Sequence, residues 1–213
     1  MPTSLLTQPY ESQIAGWPKS GRVILAQFDA ESIVVYQAYS PAIGHFAATH
    51  GYFGGDFKLS RMTWIKPNFL WMMYRSGWGT KPGQEVTLAI RLKRSAFDGL
   101  LATAVPSTFD PAHYSTELEW RQAVADSDVR LQWDPDHDPA SKPLERRALQ
   151  LGLRGHSIAK FARDWIVSIE DISQFVADQR RIISEARGSA LLSPRETPYQ
   201  VDDQAVATRL GLS

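Results

Sequence analysis

Hydrophobic and polar positions alternate most strictly between Val86 and Lys93. Val86, Leu88, Ile90 and Leu92 fall on one face and Thr87, Arg91 and Lys93 on the other, the period of a half-buried β-strand. Arg22–Asp29 (RVILAQFD) and Ser32–Tyr39 (SIVVYQAY) are rich in β-branched and aromatic residues, and a short polar turn joins them into a predicted hairpin. Ser40-Pro41 reads as the N-cap and first turn of a helix with Ile43, Phe46 and Ala47 on its apolar stripe and Gly51 as its stop. Ser95–Ala104 predicts a short helix that buries Phe97, Leu100 and Leu101, and Pro106–Tyr114 a loop. Tyr114–Ala125 fits a strand or a helix, and its pattern does not decide. Val129–Trp133 is a short strand running into the turn-rich acidic DPDHDP segment, and Arg146–Leu153 is another strand candidate. Beyond Gly155, apolar residues from Ile158 through Trp165 and Ile166 to Ile169 recur at helical spacing, and Asp171 caps a second predicted helix carrying Ile172, Phe175 and Ile182. Residues 1–20 read as an arm over the surface, 21–187 as the core of a single domain, and 188–213 as an extended or mobile tail. Strands in the middle, short connecting helices and a C-terminal helical pair make the class α+β.

The period changes inside one segment, Arg61–Trp78 (RMTWIKPNFLWMMYRSGW). Met62 and Trp64 alternate with Thr63 and Ile65 as in a strand. Pro67 then turns the chain, and Phe69, Leu70, Met73 and Tyr74 take helical spacing until Gly77. Such a strand-turn-helix junction sets Lys66, Arg75 and Ser76 at the mouth of a cleft walled by aromatic and methionine side chains, a fit for an anionic, ring-bearing ligand. The competing reading is a core corner with solvated cations. The glycine-rich GYFGGDF segment before it, Gly51–Phe57, can bend over a ligand but has neither Rossmann nor P-loop spacing.

Composition narrows the choice of partners. Lys plus Arg equals Asp plus Glu at 23 each, so no global field draws the chain to nucleic acid or membrane, although a local basic patch is allowed. No apolar run approaches the ~20 residues of a membrane span, and no signal-peptide pattern opens the sequence, so a cytoplasmic location is expected. The 213 residues contain no cysteine, which excludes disulfides, thiolate catalysis and cysteine-bound zinc from them. His45 and His50 miss the i,i+4 spacing of a helical metal pair, and the prolines around Asp134, Asp136, His137 and Asp138 break a calcium loop, leaving a solvated turn and no expected metal. No Gly-x-Ser-x-Gly elbow is present. A binding cluster is left, in which Arg75 or Arg61 can grip a phosphate with two donors beside a stacked base, so a nucleotide is the expected ligand.

VYQAY at Val35, the Arg61–Trp78 segment, VTLAIRL at Val86, LQWDPDH at Leu131 and RRALQLGL at Arg146 resemble the family of domain of unknown function 4291, over most of residues 20–175. The order of elements is also similar to that of small ADP-ribosyltransferase-like domains. That resemblance implies a cleft between two small sheets, NAD as substrate, and three motifs that hold it. Tyr36 and Gln37 match the first, Thr63 and Trp64 the second, and Gln132, Asp134 or Gln150 the third, where those transferases usually place a glutamate. The resemblance thus implies ADP-ribose transfer onto a nucleic acid or other acceptor. The alternative is a non-catalytic nucleotide or RNA binding module that stacks bases on tryptophans and holds phosphates with arginines.

Overall fold

A computed structural model describes residues 5–185 and 190–212. In chain order its elements are β1 (Thr7–Pro9), α1 (Tyr10–Ile14), β2 (Leu25–Ala26), β3 (Ser32–Tyr39), α2 (Pro41–His50), β4 (Thr63–Ile65), α3 (Phe69–Ser76), β5 (Val86–Lys93), α4 (Arg94–Thr103), β6 (Val105–Pro106), α5 (Glu117–Asp126), β7 (Val129–His137), β8 (Pro143–Leu153), α6 (Gly155–Arg163), β9 (Ile166–Asp171), α7 (Ser173–Ser184), β10 (Leu192–Pro194), β11 (Thr197–Pro198) and α8 (Gln204–Leu210). The architecture is mixed α+β.

Two sheets form the body. One is antiparallel, three-stranded and ordered β3-β5-β9; the other is ordered β4-β8-β7-β6, antiparallel except where β6 runs parallel to β7. Ile33 and Val35 of β3, Leu88, Ile90 and Leu92 of β5, and Leu149, Leu151 and Leu153 of β8 meet in the larger core, together with Phe97 of α4 and Phe161 of α6. The opposite face of the three-stranded sheet, with Val34, Tyr36 and Ala89, packs beneath Phe69, Met72 and Met73 of α3 and Val176 of α7 in a second core. Both faces of β5 are therefore covered, so Thr87 and Arg91, which alternation assigns to a wet face, are buried as well. Arg91 is tolerated there because its guanidinium donates to Ser32 Oγ at 2.9 Å and pairs with Asp29 at 3.4 Å.

Three expectations change, and one open segment is settled. Ile166–Asp171 is not helical: α6 ends at Arg163, and β9 adds to the edge of β5, so the expected helical pair is two helices separated by a strand. Trp165, Ile166 and Ile169 keep an apolar pattern because they pack on the larger core from that edge, a role that β and helical spacing serve equally over so few residues. The DPDHDP segment is not a solvated turn. β7 runs through Asp134, Pro135 and Asp136 to His137, paired with β8, and β6 pairs only as far as Leu131, so the N–H that Pro135 lacks would have had no strand partner on that side. Of the predicted strand Arg22–Asp29, only Leu25–Ala26 is a strand; it pairs with β11, while Gln27 O and Asp29 N bond to Val34 N and Ser32 O in the turn into β3. Tyr114–Ala125, left open by its pattern, contains helix α5, capped by Thr116.

The described terminal segments are bound to the body. β1 pairs with β10, Trp17 is buried, and its indole Nε1 donates to Glu196 O at 2.8 Å, so the arm is a structural part. The boundary at Gly188 lies outside the described residues. Beyond it β10 and β11 are extended as expected, but Gln204–Leu210 is helical, and Arg209 of that helix donates to the last carbonyls of α4 at Leu101, Ala102 and Ala104.

Candidate functional site

Among the described residues, one backbone bridge links the two sheets. Tyr36 and Lys66 exchange both backbone hydrogen bonds, N–H of Tyr36 to O of Lys66 at 2.7 Å and N–H of Lys66 to O of Tyr36 at 3.3 Å. Beyond this bridge β3 and β4 separate, because β3 continues along β5 while β4 is committed to β8 through Thr63↔Leu153 and Trp64↔Gly152. Side chains close the base of the gap. Gln37 Nε2 donates to Thr63 Oγ1 at 2.6 Å and to Trp64 O at 3.1 Å, and the Tyr39 hydroxyl meets Thr63 Oγ1 at 2.5 Å. Burial pushes the Tyr39 hydroxyl up to about 12, so it is a neutral hydrogen-bonding group at physiological pH.

Above this network opens a cleft of about 570 Å³, within the range of ordinary ligand sites. Tyr39, Phe57, Trp64 and Met72 give it apolar walls. Lys58, Arg61, Lys66 and Arg75 bring cations to it, against a single lining carboxylate, Asp56. Arg75 is held at the end of a rigid helix. Asn68 caps α3 at its start by accepting from Trp71 N at 2.7 Å, and Gly77 ends it in the left-handed conformation at φ 58°. The Arg75 side chain is exposed toward the cleft. Lys66 differs from the others: it is 6% exposed, and its ammonium makes no hydrogen bond to any described residue. Burial first, and the Arg75 charge second, bring it down to about 7, with Asp134 opposing.

Of the residues singled out in the sequence, Gln37, Arg61, Thr63, Trp64, Lys66 and Arg75 line the cleft. Tyr36, Met73 and Ser76 do not. Tyr36 is fully buried against Phe69, ring centroids 5.5 Å apart, and Met73 is equally enclosed beneath α3; both point to the second core because α3 turns that face down onto the sheet. Ser76 is buried too, its hydroxyl donating to Met72 O at 3.0 Å and accepting from Gly79 N at 3.2 Å to close the helix end. Met72, one position before Met73, is the methionine in the wall. Gln132, Asp134 and Gln150 form a unit on neighbouring strands, the two glutamine amides donating to Asp134 at 2.8 and 2.6 Å. They share the sheet face of Trp64 and Lys66, since Gln150 lies two positions before Gly152, the register partner of Trp64. None of the three lines the cleft itself, and Gln132 borders a separate cavity of about 220 Å³. Tyr39, Phe57 and Lys58 were missed; only the glycines between Gly51 and Phe57 hinted at the last two.

The acidic and histidine clusters disperse. Asp136 is buried and paired with Arg146 at 2.5 Å, and His137 stacks on Tyr74 with centroids 3.6 Å apart. His45 lies 3.8 Å from Asp171, while His50 stacks on Phe46. Among the described residues no group of three or more histidines and carboxylates is placed to hold a metal, and no helix is long and apolar enough to cross a membrane.

A search of curated proteins finds no match. A protein-family model described as domain of unknown function 4291 matches residues 23–199, a span that includes β3, β4, α3 and every residue lining the cleft. The chain belongs to the family of domain of unknown function 4291.

Proposed function

We propose that the cleft binds a nucleotide, with NAD as the candidate, and that the protein is an ADP-ribosyltransferase-like enzyme moving ADP-ribose onto a nucleic acid or other acceptor. The observation that carries this reading is the parting of β3 from β4 beyond the Tyr36–Lys66 bridge, which opens an aromatic, cation-lined cleft where two small sheets meet. Arg61 and Arg75 suit the phosphates, since a guanidinium matches two phosphate oxygens at once, and Trp64 offers a stacking face. Breaking the nicotinamide–ribose bond sends its electron pair to nicotinamide and leaves positive charge on the sugar, which a hydrogen bond to the 2-hydroxyl stabilises. In this reading the Gln150 carbonyl accepts that bond. Asp134, held by both glutamine amides, supplies the negative charge that a glutamine lacks and takes the proton of the incoming acceptor.

One observation favours a second reading, a binding module without catalysis: the carboxylate that lines the cleft is Asp56, on a loop, and Asp134 stands outside it. Thermal denaturation with NAD, ATP, ADP-ribose or short oligonucleotides, run beside an assay of nicotinamide release with nucleic-acid acceptors, separates the two. Stabilisation by NAD with release of nicotinamide supports the transferase, and a ligand at 100 times its dissociation constant adds about 2.7 kcal/mol. Stabilisation without release favours the binding module. No stabilisation by any of the four rejects both.

A further inference from the structure

We propose that Lys66 is a covalent carbonyl-binding site, its unpartnered amine at the base of the cleft condensing with the aldehyde of a phosphorylated ligand whose phosphate is held by Arg75. This activity goes beyond nucleotide binding and does not depend on ADP-ribose transfer.

Both main-chain groups of Lys66 are fixed by the bridge to Tyr36, and Pro67 follows directly, so the side chain starts from a rigid point. The residue is 6% exposed, yet it lines the cleft together with Trp64 and Met72. A buried ammonium without a partner is costly, and ordinary structural lysines avoid that by pairing with a carboxylate or a carbonyl. Even lysines of the outer surface find partners here: Lys81 donates to Arg75 O at 2.6 Å, Lys93 to Asp164 O at 2.9 Å, and Lys160 pairs with Asp164 at 3.4 Å, although none of the three is buried. Lys66 has no such contact. The charged groups near it are Arg75 on α3, which disfavours its proton, and Asp134 on β7, which favours it; Arg61 and Asp56 line the same cleft. With burial added, much of the amine is neutral near pH 7, the form that attacks a carbonyl.

The step balances without any further reactant. The nitrogen lone pair adds to the aldehyde carbon, the carbonyl oxygen gains a proton and becomes a carbinolamine hydroxyl, and loss of water leaves a C=N bond. One amine and one aldehyde give one imine and one water. Arg75, whose charge acts on the amine and which has no carboxylate at ion-pair distance among the described residues, is placed to take the phosphate.

The test uses pyridoxal 5′-phosphate as an aldehyde that carries a phosphate, incubated with the full chain at pH 7 and fixed by sodium borohydride, which reduces the imine to a stable secondary amine. Peptide mapping by mass spectrometry then locates the adduct. The expected result is labelling of Lys66 several-fold above any of Lys19, Lys58, Lys81, Lys93, Lys142 and Lys160, which are exposed or half-exposed. Pyridoxal, which lacks the phosphate, labels Lys66 several-fold less, and Arg75→Ala narrows that difference. Lys66→Arg, shown to be folded by circular dichroism, loses the selective adduct. Label spread over the exposed lysines with Lys66 unmodified overturns the proposal, as does equal labelling by pyridoxal and its phosphate. The peptide map of the unaltered chain decides this even if no variant folds, and a failure of NAD to bind leaves it untouched.

Discussion

Lys66 carries a measurable signature in stability as well as in reactivity. Its amine falls from an ordinary value of 10.5 to about 7 on folding, chiefly through burial and secondly through Arg75. Between those two values the unfolded chain holds a proton that the folded chain has released, so this group makes stability rise with pH from about 7 to 10.5. Lys66→Met removes that slope and stabilises the protein at pH 6 by an amount on the order of a few kcal/mol. Urea denaturation of both forms at pH 6, 7.5 and 9 measures it, and parallel stability profiles would contradict the assignment. Arg75 is the complementary case, a charge that works from the surface. Arg75→Ala is expected to weaken binding of the cleft's nucleotide roughly tenfold or more, and Arg75→Lys less, because a point charge keeps the attraction and loses the paired donors. Calorimetric titration with equal affinities in all three forms would remove Arg75 from the site.

Elements take their positions from close contacts that hydrophobic spacing does not record. Helix α2 lies on β5 so closely that a Cβ on Gly44 would sit 2.4 Å from Val86 Cγ1, inside any real contact. Gly44→Ala gains about 1 kcal/mol of helix propensity but must push α2 off the sheet, at roughly 1–3 kcal/mol, so net destabilisation is expected. In a Val86→Ala background the same change becomes neutral or stabilising, and a double-mutant cycle followed by denaturant melting checks the sign. α3 shows the same dependence. Its closing Gly77 stands plainly in the sequence, whereas its start is fixed by Asn68 and not by Pro67, to which the pattern points, and the two ends position Arg75. Which methionine reaches the cleft is not legible there: Met72 and Met73 are neighbours, both buried in the second core, and only the packing of α3 on β3 sets the first where it also walls the cleft.

Across the whole molecule, the described N- and C-terminal segments meet at the first turn of the helix that carries Arg75. Glu196, in the segment between β10 and β11, accepts from Phe69 N at 2.7 Å at the first turn of α3, and Trp17 of the N-terminal arm donates to the Glu196 carbonyl. Arg146 lies over the Trp17 ring at 5.2 Å. Trp17→Ala is therefore expected to lose about 3–5 kcal/mol, read from the denaturant midpoint. Burial raises the Glu196 carboxyl well above its usual 4.5, so the folded chain keeps a proton that the unfolded chain sheds, and stability falls as pH rises through that window. Glu196→Gln keeps an oxygen for Phe69 N and abolishes that fall. Glu196→Ala instead loses the acceptor, about 1–3 kcal/mol at any pH. Melts at pH 5 and pH 8 tell the two variants apart.

The amino-acid sequence by itself determined the local structure of this chain: the alternation of β5, the turn before β3, the glycine stops of α2 and α3, and the segment Arg61–Trp78 as the centre of the candidate site. Those features rest on interactions within a few residues, where period, proline and glycine act directly. Tertiary structure decided the rest. Ile166–Ile169 became a strand because β5 offered an open edge, DPDHDP became a strand because β8 paired with it and Arg146 satisfied Asp136, and the polar face of β5 was buried because α3 and α7 covered it. The cleft itself belongs to that second group. It exists because β3 and β4 share one bridge and then follow different partners, a competition between hydrogen bonds to distant strands that no local pattern encodes.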